Sequence, residues 1–170
     1  MIVTRHLHSL RTYAHLICMD RTRGDALLEH CLSEAIRLSW QKPPDADVLV
    51  WMLALMHRAY LTEPAFRRRR ARRTVVLADD DPIHFGLFCL GAREREAIVL
   101  IDILGQSYRN SAIIQRSSQS GVWHARSRGR DTLRRIIWNM PSAERMRWKQ
   151  TCWCGNSRVV APSVPKISSV

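Results

Sequence analysis

The side chains in this sequence best suited to chemistry are its arginines. Of 27 basic residues, 24 are arginine. The guanidinium stays charged and offers a planar fork of donors that matches phosphate. A formal net charge of +12 and a pI near 10.7 suit a polyanionic partner. The charge is also segregated. Residues 1–66 are neutral, residues 67–73 add six arginines, residues 74–102 sum to −4 and residues 103–170 sum to +10. A uniform compositional bias toward arginine would not produce this pattern.

Other chemistry finds little support. Cys152 and Cys154 stand closer in sequence than zinc ligands prefer, and His84 with Cys89 would be needed to complete four ligands. Two free thiols in a tail is the simpler reading, so no metal and no cofactor are expected. His6, His8, His15 and His30 are scattered at helical spacing and read as surface residues. No nucleophile–base–acid set and no phosphate-cradling glycine loop occurs, so the chain is not expected to be an enzyme. Five cysteines, an odd number, and an N-terminus without an apolar run argue against a disulfide framework and for a reducing cytoplasm. No apolar run approaches the roughly eighteen residues of a membrane span.

The elements that must position the arginines read as helices throughout. Residues 7–19 place Leu7, Leu10, Tyr13, Ala14 and Ile17 at helical spacing. Residues 20–24 are polar, end in glycine and read as a loop, with Asp25 capping a second helix to about Trp40. Pro43 and Pro44 break the chain. A third helix starts near Asp47, is apolar on almost every side and stops near Pro64, which suits the middle of a bundle. Residues 67–88 read as a basic then acidic linker. Beyond it, residues 92–104 form one helix ended by Gly105. Ser107 caps a short helix to about Gln115, and Ser117 or Ser118 caps a longer basic helix to about Ile137. A short helix, a tight turn and a longer basic helix make a helix-turn-helix. The expected fold is all-α. It has a helical domain over 1–66, the linker, a helix-turn-helix domain over 89–138, and a partly disordered tail over 139–170.

These residues carry a family resemblance. The stretch REREAIVLID at residues 93–102 resembles the opening helix of region 4 in extracytoplasmic-function sigma factors, and Leu104-Gly105-Gln106-Ser107-Tyr108 is similar to the hinge that follows it. Ala112, Ile114, Val122, Arg126, Arg128 and Arg130 fall in the family's register without a gap. Residues 10–14, 24–29 and 50–53 resemble pieces of region 2. The chain departs from the family in the turn, where an apolar residue and glycine give way to Gln115 and Arg116. An L-residue held at positive φ there costs roughly 1 kcal/mol or more. Trp123 and His124 also stand where the family often has small or basic residues.

The resemblance implies two small helical domains that together hold core RNA polymerase and promoter DNA. Ser118, Gln119, Ser120, Trp123 and His124 are the candidates for facing bases, with Arg126, Arg128, Arg130, Arg109 and Arg116 on phosphate. In the first domain His57 and Arg58 are the candidates for melted DNA. Two other readings stay open. One is a sigma-like decoy that sequesters an anti-sigma factor, and the other is a helix-turn-helix repressor that never meets polymerase.

Overall fold

The computed structural model describes residues 6–66 and 82–139. The described residues form helices, turns and loops, and no strand occurs among them. The first half holds α1 (Leu7–Cys18), α2 (Arg21–Arg37), a 3-10 turn (Ser39–Gln41) and α3 (Val48–Thr62). The second holds α4 (Pro82–Cys89), α5 (Ala92–Ile98) running into a π turn (Val99–Ile103), α6 (Tyr108–Gln115) and α7 (Gln119–Asn139).

Local chemistry explains most of the boundaries. The Asp47 carboxylate accepts from the Val50 amide at 3.0 Å and starts α3. Gly105 takes φ +66 and ends the π turn, a conformation that costs glycine nothing. The second helix differs from expectation. Residues 21–24 are helical, and the cap is Asp20, whose side chain accepts from the Arg23 amide at 2.9 Å. Gly24 is therefore no turn residue. A Cβ there would lie 2.9 Å from the His15 backbone, so its bareness lets α1 and α2 cross closely. Asp25, freed from capping, reaches back to α1 and accepts from Arg11 at 2.9 Å and pairs with His15 at 2.8 Å. Hydrogen bonds from Arg11 first and His15 second hold its carboxyl down at about 2.

Pro82–Cys89, within the stretch expected as linker, is helical, and α4 packs on α7. Residues 67–81 and the tail from 140 onward, with Cys152 and Cys154, lie outside the described residues.

The two halves share one core. Leu10, Tyr13 and Ile17 of α1, Leu27 of α2, and Met52, Leu53 and Met56 of α3 form a single buried cluster with Leu87, Val99, Leu100 and Ile114 of the second half. α1 packs on α5 and the π turn, and α3 packs on α6. Trp51 is partly buried against this cluster. Burial drives the thiols of Cys18 and Cys31 up to about 12, which leaves them inert near neutral pH. No group of metal-binding side chains occurs among the described residues. None of the described helices is long and apolar enough to cross a membrane.

Candidate nucleic-acid interface

The helix-turn-helix is built from small residues and short-range caps. Ala97, Ala112, Val122 and Ala125 make its own compact core, with Ile101 and Tyr108 against it. The Ser107 hydroxyl accepts from the Asn110 amide at 3.1 Å and starts α6. Ser118 caps α7 by accepting from the Gly121 amide at 3.0 Å. Gly129 sits where α7 passes α5, and a Cβ there would come within 2.7 Å of Ile98 Cδ1.

The turn between α6 and α7 closes in the pattern that glycine usually completes. The Ser117 amide donates to the Ala112 carbonyl at 3.0 Å, and the Arg116 amide donates to the Ile113 carbonyl at 3.3 Å. Arg116 occupies the left-handed position, at φ 48 and ψ 47. The turn therefore closes with arginine in the position that glycine usually takes.

Most of the expected DNA-facing residues are exposed. Ser118, Gln119, Ser120, Trp123 and His124 are all exposed, at or just inside the start of α7. Trp123 lies edge-on to His124, with ring centroids 4.9 Å apart. It is therefore no core residue. Arg109 on α6 and Arg116 in the turn are exposed too, and among the described residues no ion pair holds either one.

The arginines further along α7 are engaged at home. Arg126 grips Asp102 of the π turn through Nε at 3.1 Å and Nη2 at 2.6 Å, and its Nη1 donates to the Tyr108 hydroxyl at 2.6 Å. Arg130 donates to the same carboxylate at 2.7 Å, and Arg128 reaches Glu94 at 3.3 Å. The Asp102 side chain is 19 % exposed. Burial pushes its carboxyl up, but the bonds from Arg126 and Arg130 outweigh this and leave it below the usual carboxylate range. Two cations on one anion leave a net positive charge, so the region stays basic. Its arginines are nonetheless oriented by Asp102.

In the first half the outcome is split. Arg58 is exposed and lines a small groove with His30, Glu34 and Thr62. His57 does not reach the surface, contrary to expectation. It is 7 % exposed, and its Nδ1 lies 2.7 Å from Glu96 Oε1 of α5. The reason is tertiary, because Glu96 of the other half reaches its ring, 39 residues away in sequence.

No protein-family model matches the chain, and no curated protein matches it. Solved structures do. The sigma factor RpoE in complex with the anti-sigma factor NepR from Bartonella quintana superposes with a TM-score of 0.67 at 19 % identity, covering 82 % of this chain and 96 % of that one. CnrH in complex with the cytosolic domain of CnrY gives 0.66 at 23 % identity, covering 80 % and 84 %. The chain has a sigma-factor fold. The anti-anti-sigma factor PhyR, complexed with NepR from Bartonella quintana, matches at 0.60 and 16 % identity, covering 79 % of this chain and 49 % of that chain.

Within the sigma-factor fold, four side chains that carry the internal chemistry escaped the sequence reading: Tyr13, Arg95, Glu96 and Asp102. Tyr13 was placed in the core by its spacing, with no sign that its hydroxyl has a buried partner. Two adjacent charges in a surface-like helix gave no cue that the other half of the molecule would cover them. For Asp102 a cue did exist, as the lone acid in the π turn facing a helix with three alternating arginines.

Proposed function

We propose that this chain is a sigma-type initiation factor. It binds core RNA polymerase, reads promoter DNA through α7 and performs no chemistry of its own. In this reading it works in the cytoplasm as two units, residues 1–66 and 89–138, joined by the basic linker. One observation carries the proposal: an exposed helix start bearing Ser118, Gln119, Ser120, Trp123 and His124, with Arg116 in the turn before it and Arg109 on the preceding helix exposed as well. Groups near the start of a recognition helix reach base edges, and cations on the helix before it meet the backbone. Arg128 and the outward faces of Arg126 and Arg130 add a diffuse positive field, and Arg58 belongs to the surface for melted DNA.

The test is co-purification with core RNA polymerase followed by run-off transcription from a promoter pool. Specific transcripts support the proposal, and silence across the pool with no polymerase bound defeats it.

A second reading has its own support. RpoE and PhyR share this fold and are both recorded with NepR, one as a sigma factor and the other as an anti-anti-sigma factor. A chain of this fold could thus act as a decoy for an anti-sigma factor. A decoy binds such a partner but lacks salt-sensitive affinity for DNA, which a titration at two salt concentrations separates.

A further inference from the structure

The apolar stripe of α7 outruns its cover. Leu133 packs against the shared core, where it meets the bare Gly86 of α4. One turn on, Ile137 is half-buried, and the next residue, Trp138, is 79 % exposed. These two line a pocket of about 580 Å³ together with Arg134, Arg135 and Asn139. Residues three and four apart share a helix face, so Arg134 stands on the face of Ile137 and Trp138, and Arg135 on that of Trp138 and Asn139.

An exposed tryptophan framed by arginines has the composition of a protein-interface anchor. The framing cations are not neutralised at home. Arg134 meets Asp131 only at 3.5 Å, with both side chains mostly exposed, and Arg135 donates to the Thr132 hydroxyl at 3.3 Å. Exposed pairs of this kind are worth little. From Arg126 to Asn139, α7 carries five arginines against Asp131 alone.

Charge decides the occupant. A second copy paired about a two-fold axis would set these arginines against themselves. Residues 140–170 hold five basic residues and one acid, Glu144, so the chain's own C-terminal segment carries the same sign. A nucleic acid would meet the arginines and stack on Trp138 but brings little aliphatic surface for Ile137. We propose that the end of α7 docks an acidic protein segment with an apolar anchor. The anchor fills the pocket at Ile137 and Trp138, and the carboxylates meet Arg134 and Arg135. At 1.5 Å per residue, Trp138 lies about 28 Å along the helix from Gln119, so such a partner leaves the base-facing group uncovered. The surface goes beyond the initiation-factor reading and holds whether or not the start of α7 reads DNA.

The probe is a fluorescein-labelled synthetic helix with a leucine face rimmed by glutamates. Its anisotropy on the full chain is compared with that of its lysine counterpart and of oligothymidylate. The acidic helix should bind, and Trp138→Ala should weaken it about tenfold or more, the scale of a hot-spot aromatic. Arg134→Glu with Arg135→Glu should transfer the preference to the lysine helix. Arg21→Glu with Arg93→Glu, the same charge change at exposed positions elsewhere, should not. All the replaced side chains are exposed, so the fold persists, which circular dichroism checks. The proposal is overturned if the acidic helix fails to bind, if it binds Trp138→Ala equally well, or if the distant pair moves the preference as far. It is overturned equally if Trp138→Ala instead abolishes oligothymidylate binding or a concentration-dependent dimer. The same holds if the acidic helix binds only once Asp79, Asp80 and Asp81 are replaced by asparagine. The occupant would then be a nucleic acid, a second copy or the chain's own acidic run.

Discussion

At the scale of single residues, Arg116 is the clearest compromise. A left-handed conformation costs an L-residue its Cβ clash with the carbonyl oxygen, and glycine avoids it. Arg116→Gly should therefore raise the unfolding free energy by about 1 kcal/mol, seen as a higher melting temperature, whereas Arg116→Ala should leave it unchanged. If the cation serves the DNA interface, Arg116→Gly also weakens DNA binding, so stability and affinity move in opposite directions. Asp102 offers a second test. Asp102→Asn removes the anchor of Arg126 and Arg130 and should cost on the order of 1 kcal/mol, discounted for partial solvent screening. The Asp102 carboxyl is held below its usual value, so its contribution is fully present above the unfolded pKa and is lost as pH falls through the folded one. The gap in stability between the two proteins should be full at neutral pH, shrink below about pH 4 and close in stronger acid. A gap independent of pH would rule out the ion pairs as its origin.

At the scale of elements, the helices hold together because bare backbones let them approach. Gly24 admits the α1 backbone at a distance that a Cβ would violate. In an exposed helix, alanine in place of glycine would stabilise. Here Gly24→Ala should instead cost about 1–3 kcal/mol through overpacking, measured by urea unfolding. The π turn at the end of α5 bears on the interface in a similar way. One extra residue per turn, closed by the Leu104 amide on the Val99 carbonyl at 2.9 Å, belongs to the segment from which Asp102 meets α7. The arginines of the helix-turn-helix are thereby sorted into Arg126 and Arg130, bound to Asp102, and Arg109 and Arg116, exposed without an ion pair among the described residues.

At the scale of the whole molecule, that sorting sets the expected salt dependence of DNA binding. Each phosphate neutralised contributes about −0.9 to the slope of log affinity against log salt. Replacing Arg109 and Arg116 together by alanine should flatten the slope by about 2. Replacing Arg126 and Arg130 should act mainly through stability, since Asp102 already takes their donors. If instead the slope flattens for Arg126 and Arg130 alone, these side chains leave Asp102 to meet the backbone. The shared core adds a constraint on both readings of function. A partner that needs the two halves apart must overcome the burial around Leu87, Leu100 and Ile114 and the contacts of Glu96 with Tyr13 and His57.

Local order was legible from the residues in line. Spacing and caps located all but one of the described helices, because a cap acts within three residues and an apolar stripe repeats every turn. Asp47, Gly105, Ser107 and Ser118 do the work their positions suggested, and the exposed group from Ser118 to His124 was legible for the same reason. The start of α2 was misplaced because Gly24 was read by its freedom to turn. Its role is the space it leaves for a helix that local pattern cannot see. α4, the helix not located, fell in a stretch whose charge and proline suggested a linker. The remaining features depend on contacts distant in sequence. Arg126 meets Asp102 across 24 residues, His57 meets Glu96 across 39 and Tyr13 meets Glu96 across 83. No periodicity encodes such pairs, because whether a charge is buried and paired is set by which faces the shared core brings together.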